Sequence, residues 1–194
     1  MGARIPTRFS WLLRRCCYGL AAAAALCFPS GSPGEAASSG EYQVKAAFLY
    51  NLARFVDWPA AKFRSPDSPL LIGVMGDNPF DEDLVRLVAN KMVDRHPIGV
   101  VAVNDPAGAA RCHVVFFSRS MKQSFDQLLP ALGEAHVLTV SDIEKFARRH
   151  GMVGLVLENE RVKLEISPKA AAAAGLTLSS QLLRIARLVP EATP

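Results

Sequence analysis

Glu41–Pro59 reads EYQVKAAFLYNLARFVDWP. Wound at about 100° per residue, it places Gln43, Asn51, Arg54 and Asp57 on one polar stripe, and Val44, Phe48, Leu49, Leu52, Phe55 and Val56 on the remaining arc. That arc spans roughly 200°, about twice the apolar stripe of an ordinary surface helix. The spacing predicts a helix covered on two sides. One cover is its own sheet; the other is a neighbouring helix, a second copy of the chain, or a different protein. A helix sunk in a large core would account for the same arc. Trp58 precedes Pro59 and is pushed out of the helical region, so the helix is expected to end there. Nothing in the stretch offers catalytic chemistry.

Upstream, residues 1–36 read as a secretory signal. Arg4, Arg8, Arg14 and Arg15 make a basic opening, and Cys16–Phe28 is an apolar, alanine-rich run. The run has signal-peptide length and falls short of the roughly 20 residues that span a bilayer. Gly34-Glu35-Ala36 sets small residues for cleavage after Ala36, with a site a residue or two downstream nearly as good. Leu26 before Cys27 is not the small residue that lipidation requires. No later run is long and apolar enough to cross as a helix. The expected product is exported and soluble, with a single domain over residues 41–190.

Removing the signal changes the charge argument. The chain has 22 Lys and Arg against 18 Asp and Glu, and four of the Arg and one Glu lie in residues 1–36, leaving 18 against 17. No basic face of the kind nucleic acid demands survives. Cys16, Cys17 and Cys27 leave with the same segment, so Cys112 can form no internal disulfide. It is either a small buried apolar residue or a point of intermolecular pairing. His113 makes no dyad with it, because neighbours along a strand point to opposite faces.

Leu70–Met75 reads as a buried strand, followed by the turn Gly76-Asp77-Asn78-Pro79 and a helix with Pro79 in its first turn. Asp81, Glu82 and Asp83 would complement that helix's dipole, and their spacing is not that of a calcium loop. Pro97–Val103, Cys112–Phe117 and Ala135–Val140 are further strands, with a connection at Ala107–Ala110. Phe125–Leu132 is a short helix ended by Gly133. Asp142–Arg149 is a helix with Arg148, Arg149 and His150 at its C-terminus and Gly151 as cap. Met152–Glu158 and Arg161–Ser167 form a hairpin whose second member alternates and reads as a charged edge strand. Pro168–Ala174 begins a helical piece broken by Gly175, and Leu178–Val189 is a last amphipathic helix with Leu178, Leu182, Ile185, Ala186 and Val189 on one face. The pattern predicts an α/β fold: a layered, largely parallel sheet with an antiparallel hairpin edge, flanked by helices.

Tests for chemistry return little. Gly73-Val74-Met75-Gly76 follows a strand, as a phosphate cradle does, but lacks the third glycine of a dinucleotide site and the Gly-Lys-Ser/Thr of a P-loop. There is no Gly-x-Ser-x-Gly elbow. His96, His113, His136 and His150 have no zinc spacing. The residues yield no catalytic, cofactor or metal site, and the expectation is a protein that is not an enzyme.

The blocks KAAFLYNLARFVDWP (45–59), LLIGVMGDNPF (70–80), CHVVFFS (112–118), VLTVSD (137–142), GMVGLVLENERVKLEIS (151–167) and AGLTLSSQLLRIARLV (174–189) stand in that order. Together they resemble the YfiR-like family of periplasmic proteins, from about Tyr42 to Val189. The resemblance implies a dimeric periplasmic regulator that binds the sensory domain of an inner-membrane diguanylate cyclase and represses it, so adjusting cyclic-di-GMP, biofilm formation and motility. It also implies an outer-membrane lipoprotein able to draw the repressor away. Some family members carry internal disulfides; Cys112 has no partner for one, which excludes that form of redox control. On this reading the first and last helices pack into a homodimer and leave a patch for the partner, with Asn51, Arg54, Trp58, Glu165, Gln181 and Arg184 as candidate contacts. The alternative is a periplasmic small-molecule sensor, with a ligand in the cleft after Met75, acting on a membrane histidine kinase or other receptor.

Overall fold

The computed structural model describes residues 33–190. The predicted signal therefore lies outside the described residues apart from 33–36, which open helix α1 (Pro33–Arg54). Among the described residues no helix is long and apolar enough to cross a membrane.

α1 begins ahead of Glu41 and stops short of Pro59. Phe55 N closes its last turn on Asn51 O and Leu52 O (3.1 and 3.2 Å). The chain then turns into β1 (Val56–Asp57), which pairs antiparallel with β9 (Thr177–Leu178). Proline alone would stop the helix only near Trp58. The helix ends earlier because Val56, β-branched and buried opposite Leu178, fits a strand ladder better than another helical turn.

The main sheet contains β2 (Leu70–Met75), β3 (Met92–Val93), β4 (His96–Val103), β5 (Val114–Phe117), β6 (Leu138–Ser141), β7 (Val153–Glu158), β8 (Arg161–Ile166) and β10 (Arg187–Leu188). Its order is β10-β8-β7-β6-β5-β2-β4-β3. The run from β4 through β2, β5 and β6 to β7 is parallel. β8 returns antiparallel to β7, and β3 lies antiparallel on β4. The expected α/β class is the observed one. Alternation along β5 sends Val114 and Phe116 into a core shared with α1, α2 (Asp83–Val88), α5 (Pro168–Ala173) and α6 (Ser180–Ile185). Val115 and Phe117 enter a second core with α3 (Pro106–Ala110), α4 (Phe125–Leu128) and Phe146. Both faces are covered, which is why these strands read as unbroken apolar runs.

Several predicted helices are shorter than their patterns. α2 starts at Asp83 because Asn78 Oδ1 accepts from Phe80 N (3.0 Å) and Asp81 adopts φ 46°, a turn that leaves Pro79 outside the helix. Phe125–Leu132 is α4 followed by a 3-10 turn. In place of a helix over Asp142–Arg149 there is one 3-10 turn, Phe146–Arg148, after a left-handed Lys145 (φ 60°). The left-handed residue that follows is His150 (φ 65°), not Gly151. Glycine is needed at 151 for a different reason: a Cβ there would stand 2.3 Å from the Phe146 ring. The expected connection Ala107–Ala110 is helical, as α3, capped by Asp105. β6 starts at Leu138 rather than Ala135. The last helix contracts to α6, with Ser179 Oγ accepting from Leu182 N (3.2 Å). It ends where Arg187 and Leu188 pair parallel with Glu165 and Ile166, so β8 is the second strand in and not the edge.

Candidate functional site

From β2 the chain crosses to β4 on one side and, after β4, returns to β5 on the other. Open sheets bind ligands in the crevice such a reversal leaves at the strands' carboxyl ends. Here the chain closes that crevice itself. Ser118 N donates to Met75 O (3.0 Å), Asp77 N donates to Ser120 Oγ (2.9 Å), and the two hydroxyls are 2.8 Å apart. Gly76 turns with φ +86°, and a Cβ on it would stand 2.5 Å from both hydroxyl oxygens. The loop weighed as a phosphate cradle is occupied by serine side chains.

Beside it, at the carboxyl ends of β5 and β6, α1 lays a charged turn over the sheet. Lys45 Nζ pairs with Asp142 Oδ2 (2.5 Å) and with Glu41. Arg119 reaches Asp142 through Nε and Glu41 through a terminal nitrogen, each at 3.0 Å. Tyr42 donates its hydroxyl to Asp142 Oδ2 (2.9 Å). The Lys45 and Asp142 side chains are fully buried, while Arg119 is exposed over one side. Burial, then the Asp142 charge, raises the Tyr42 phenol well above its ordinary range. Two cations meet two anions, so the buried cluster is balanced, although Asp142 Oδ1 has no partner. Sequence reading missed it. The available signal was Lys45 itself, a lone charge one turn before Leu49 on the arc that buries Leu49 and Leu52.

The candidate contacts fall into two groups. Asn51 and Arg54 are exposed near the end of α1, and Gln181 and Arg184 are exposed on α6. The β1–β9 pair, continued by Ser179 N donating to Phe55 O (2.9 Å), sets these two ends side by side. Trp58 is half-buried, edge-on to the His113 ring at 5.7 Å. Glu165 differs: it is buried between Arg148 (3.1 Å) and Arg187 (3.4 Å). Arg187 also grips Glu158 with two bonds of 2.6 and 2.8 Å, so Glu165 belongs to the join of β8 and β10.

The apolar arc of α1 is largely covered from within. Leu49 and Leu52 are buried and Phe48 and Phe55 half-buried in the first core, leaving Val44 exposed. Among the described residues the most open large apolar side chain is instead Ile185 of α6, 69% exposed, with Leu188 of β10 at 52%. Periodicity had placed Ile185 on the buried face. Open volume also lies away from Met75: a cleft of about 670 Å³ with Leu129, Leu132, Met152 and Ala170 in its walls opens at the amino ends of β6 and β7. Cys112 is buried, its Sγ 3.5 Å from Gly108 O, so its thiol is not open to a second chain. Among the described residues no cluster of His, Cys, Asp and Glu could hold a metal ion.

No curated protein matches the chain. The profile of the YfiR/HmsC-like family does, over residues 42–187, which takes in α1 from Tyr42, every strand of the sheet through Arg187, and Tyr42, Lys45, Arg119 and Asp142 of the ion cluster. On that span, the chain belongs to the YfiR/HmsC-like family.

Proposed function

We propose that this chain is a periplasmic regulator that binds the sensory domain of an inner-membrane diguanylate cyclase and holds the enzyme inactive, lowering cyclic-di-GMP. The family match over residues 42–187 carries the reading. The exposed face at α6 and β10 supports it: Ile185 and Leu188 stand open near Arg184, a mix of apolar and cationic groups suited to a protein surface. We assign the partner to this face, with Asn51, Arg54 and Trp58 on its α1 side and Gln181 and Arg184 on its α6 side.

Repression then follows from differential affinity. A protein that binds the inactive conformation of a membrane receptor more tightly than the active one draws the population toward it. Moving the balance from mostly active to mostly inactive takes about 5 kcal/mol of difference. Contacts over more than about 1,000 Å² supply that readily. A homodimer would present two such faces, and an outer-membrane lipoprotein competing for one would relieve the repression.

The test is co-purification with the periplasmic domain of an inner-membrane diguanylate cyclase from the same cells. Arg184→Glu and Ile185→Asp abolish capture and leave the melting temperature unchanged, because both side chains are exposed. Equal capture by wild type and both variants removes the assigned face.

A further inference from the structure

The amino edge of the sheet carries charge of another kind. The turn Ala60–Lys62 folds over it, and Lys62 Nζ donates to Ala110 O (2.8 Å) and Ala135 O (2.5 Å). With Arg64, Arg111, His113 and His136 it lines a cleft of about 570 Å³ that has no carboxylate among its lining residues. At the carboxyl edge two cations meet two anions. Here a half-buried ammonium meets only carbonyl dipoles. Withdrawing a cation from water without a counter-charge is unfavourable, and the burial lowers Lys62 to about 8.

His113 adds a second unmet group. Its Nδ1 accepts from Leu71 N (3.1 Å), which makes Nε2 the N–H donor, and Nε2 is buried without a partner. Phe63 stacks on His96 (centroids 3.8 Å apart, planes at 14°) and tilts over His113 (4.5 Å), pinning the Lys62 turn to the sheet. Arg64 and Arg111 are exposed at the rim, where they draw anions in.

We infer that this cleft binds a small organic anion through a carboxylate or phosphate group, seated against Lys62 and Arg111, with Arg64 at the mouth and the His113 imidazole in the wall. Pro69 and Leu71 supply apolar wall for the rest of the molecule. Trp58, edge-on to His113, joins this wall to the end of α1, so the occupant reaches the docking face through one side chain. The inference does not depend on which protein docks there.

The purified full chain is melted in inorganic phosphate, in citrate, and in chloride at matched ionic strength. At about ten times its Kd, the anion that fits raises Tm by roughly 3–5 °C over chloride. A shift with phosphate alone identifies a phosphate group, and a shift with citrate alone identifies a carboxylate. Arg64→Gln combined with Arg111→Gln, both at the exposed rim, weakens apparent affinity about tenfold or more. Lys62→Gln removes the shift; if that variant does not fold, the rim pair decides. Phosphate and citrate no better than chloride, or a shift undiminished in the rim pair, overturns the assignment.

Discussion

Asp142 accepts from three donors at once: Lys45, Arg119 and the Tyr42 hydroxyl. Removing its carboxylate leaves Lys45 buried among apolar neighbours with Glu41 alone to offset it. Asp142→Ala is expected to lower unfolding stability by about 3–5 kcal/mol, read from urea denaturation. Lys45→Met with Asp142→Leu should recover much of that, because an apolar pair strands no charge; equal loss in the single and double variants would refute the account. His113 gives the pH signature. Burial first, then Lys62 and His96, lowers it from 6.5 to about 4. Between those values the unfolded chain binds a proton that the folded chain refuses, so stability falls as pH drops from 6.5 toward 4, by up to about 3 kcal/mol. His113→Asn keeps an acceptor for Leu71 N and should flatten that fall, measured by denaturation at pH 7 and pH 4.5. Neither residue was legible as a site. Asp142 read as the start of a helix and His113 as a strand neighbour of Cys112, since the partners of both lie far away in sequence.

Among the elements, the strands were easier to see than the helices. β2 and β5 are covered on both faces, so burial alone writes them as continuous apolar runs. The ends of α1 and α6 are set by pairing with β9 and β8, and no local pattern announces a strand partner from the other end of the chain. The hairpin of β7 and β8 was legible because Asn159 and Glu160 divide an apolar run from an alternating one. Both adopt positive φ (49° and 60°), the backbone of a type I′ turn, and only asparagine is suited to it. Glu160→Gly should therefore raise stability by about 1 kcal/mol, seen as a higher denaturation midpoint with an unchanged slope. Gly73 behaves in the opposite way. A Cβ there would stand 2.8 Å from both Cys112 Sγ and Val103 Cγ2, so Gly73→Ala should cost about 1–3 kcal/mol by overpacking.

At the scale of the molecule, the sheet separates two kinds of edge. Its carboxyl edge is sealed by Ser118, Ser120 and a balanced ion cluster under α1. Its amino edge holds an ammonium with no carboxylate beside it. Excess helical apolar surface and missing catalytic motifs made a docking protein the expectation from the sequence. The expectation placed that surface on α1, most of which the chain's own core covers, whereas Ile185 of α6 is more open than any large apolar side chain of α1 described. The amphipathic period ran too long: Leu182 and Val189 are buried as expected, but Ile185, at the last position of α6 before the chain turns into β10, is open. The central claim is repression by docking, and the most direct measurement is cyclase turnover. An inner-membrane diguanylate cyclase that co-purifies with the chain is reconstituted with its periplasmic domain accessible, and cyclic-di-GMP formation is followed as the chain is added. Saturating repression by the wild type, with little or none by Arg184→Glu or Ile185→Asp at equal stability, is the predicted result; turnover unchanged at every concentration of the wild-type chain would contradict it.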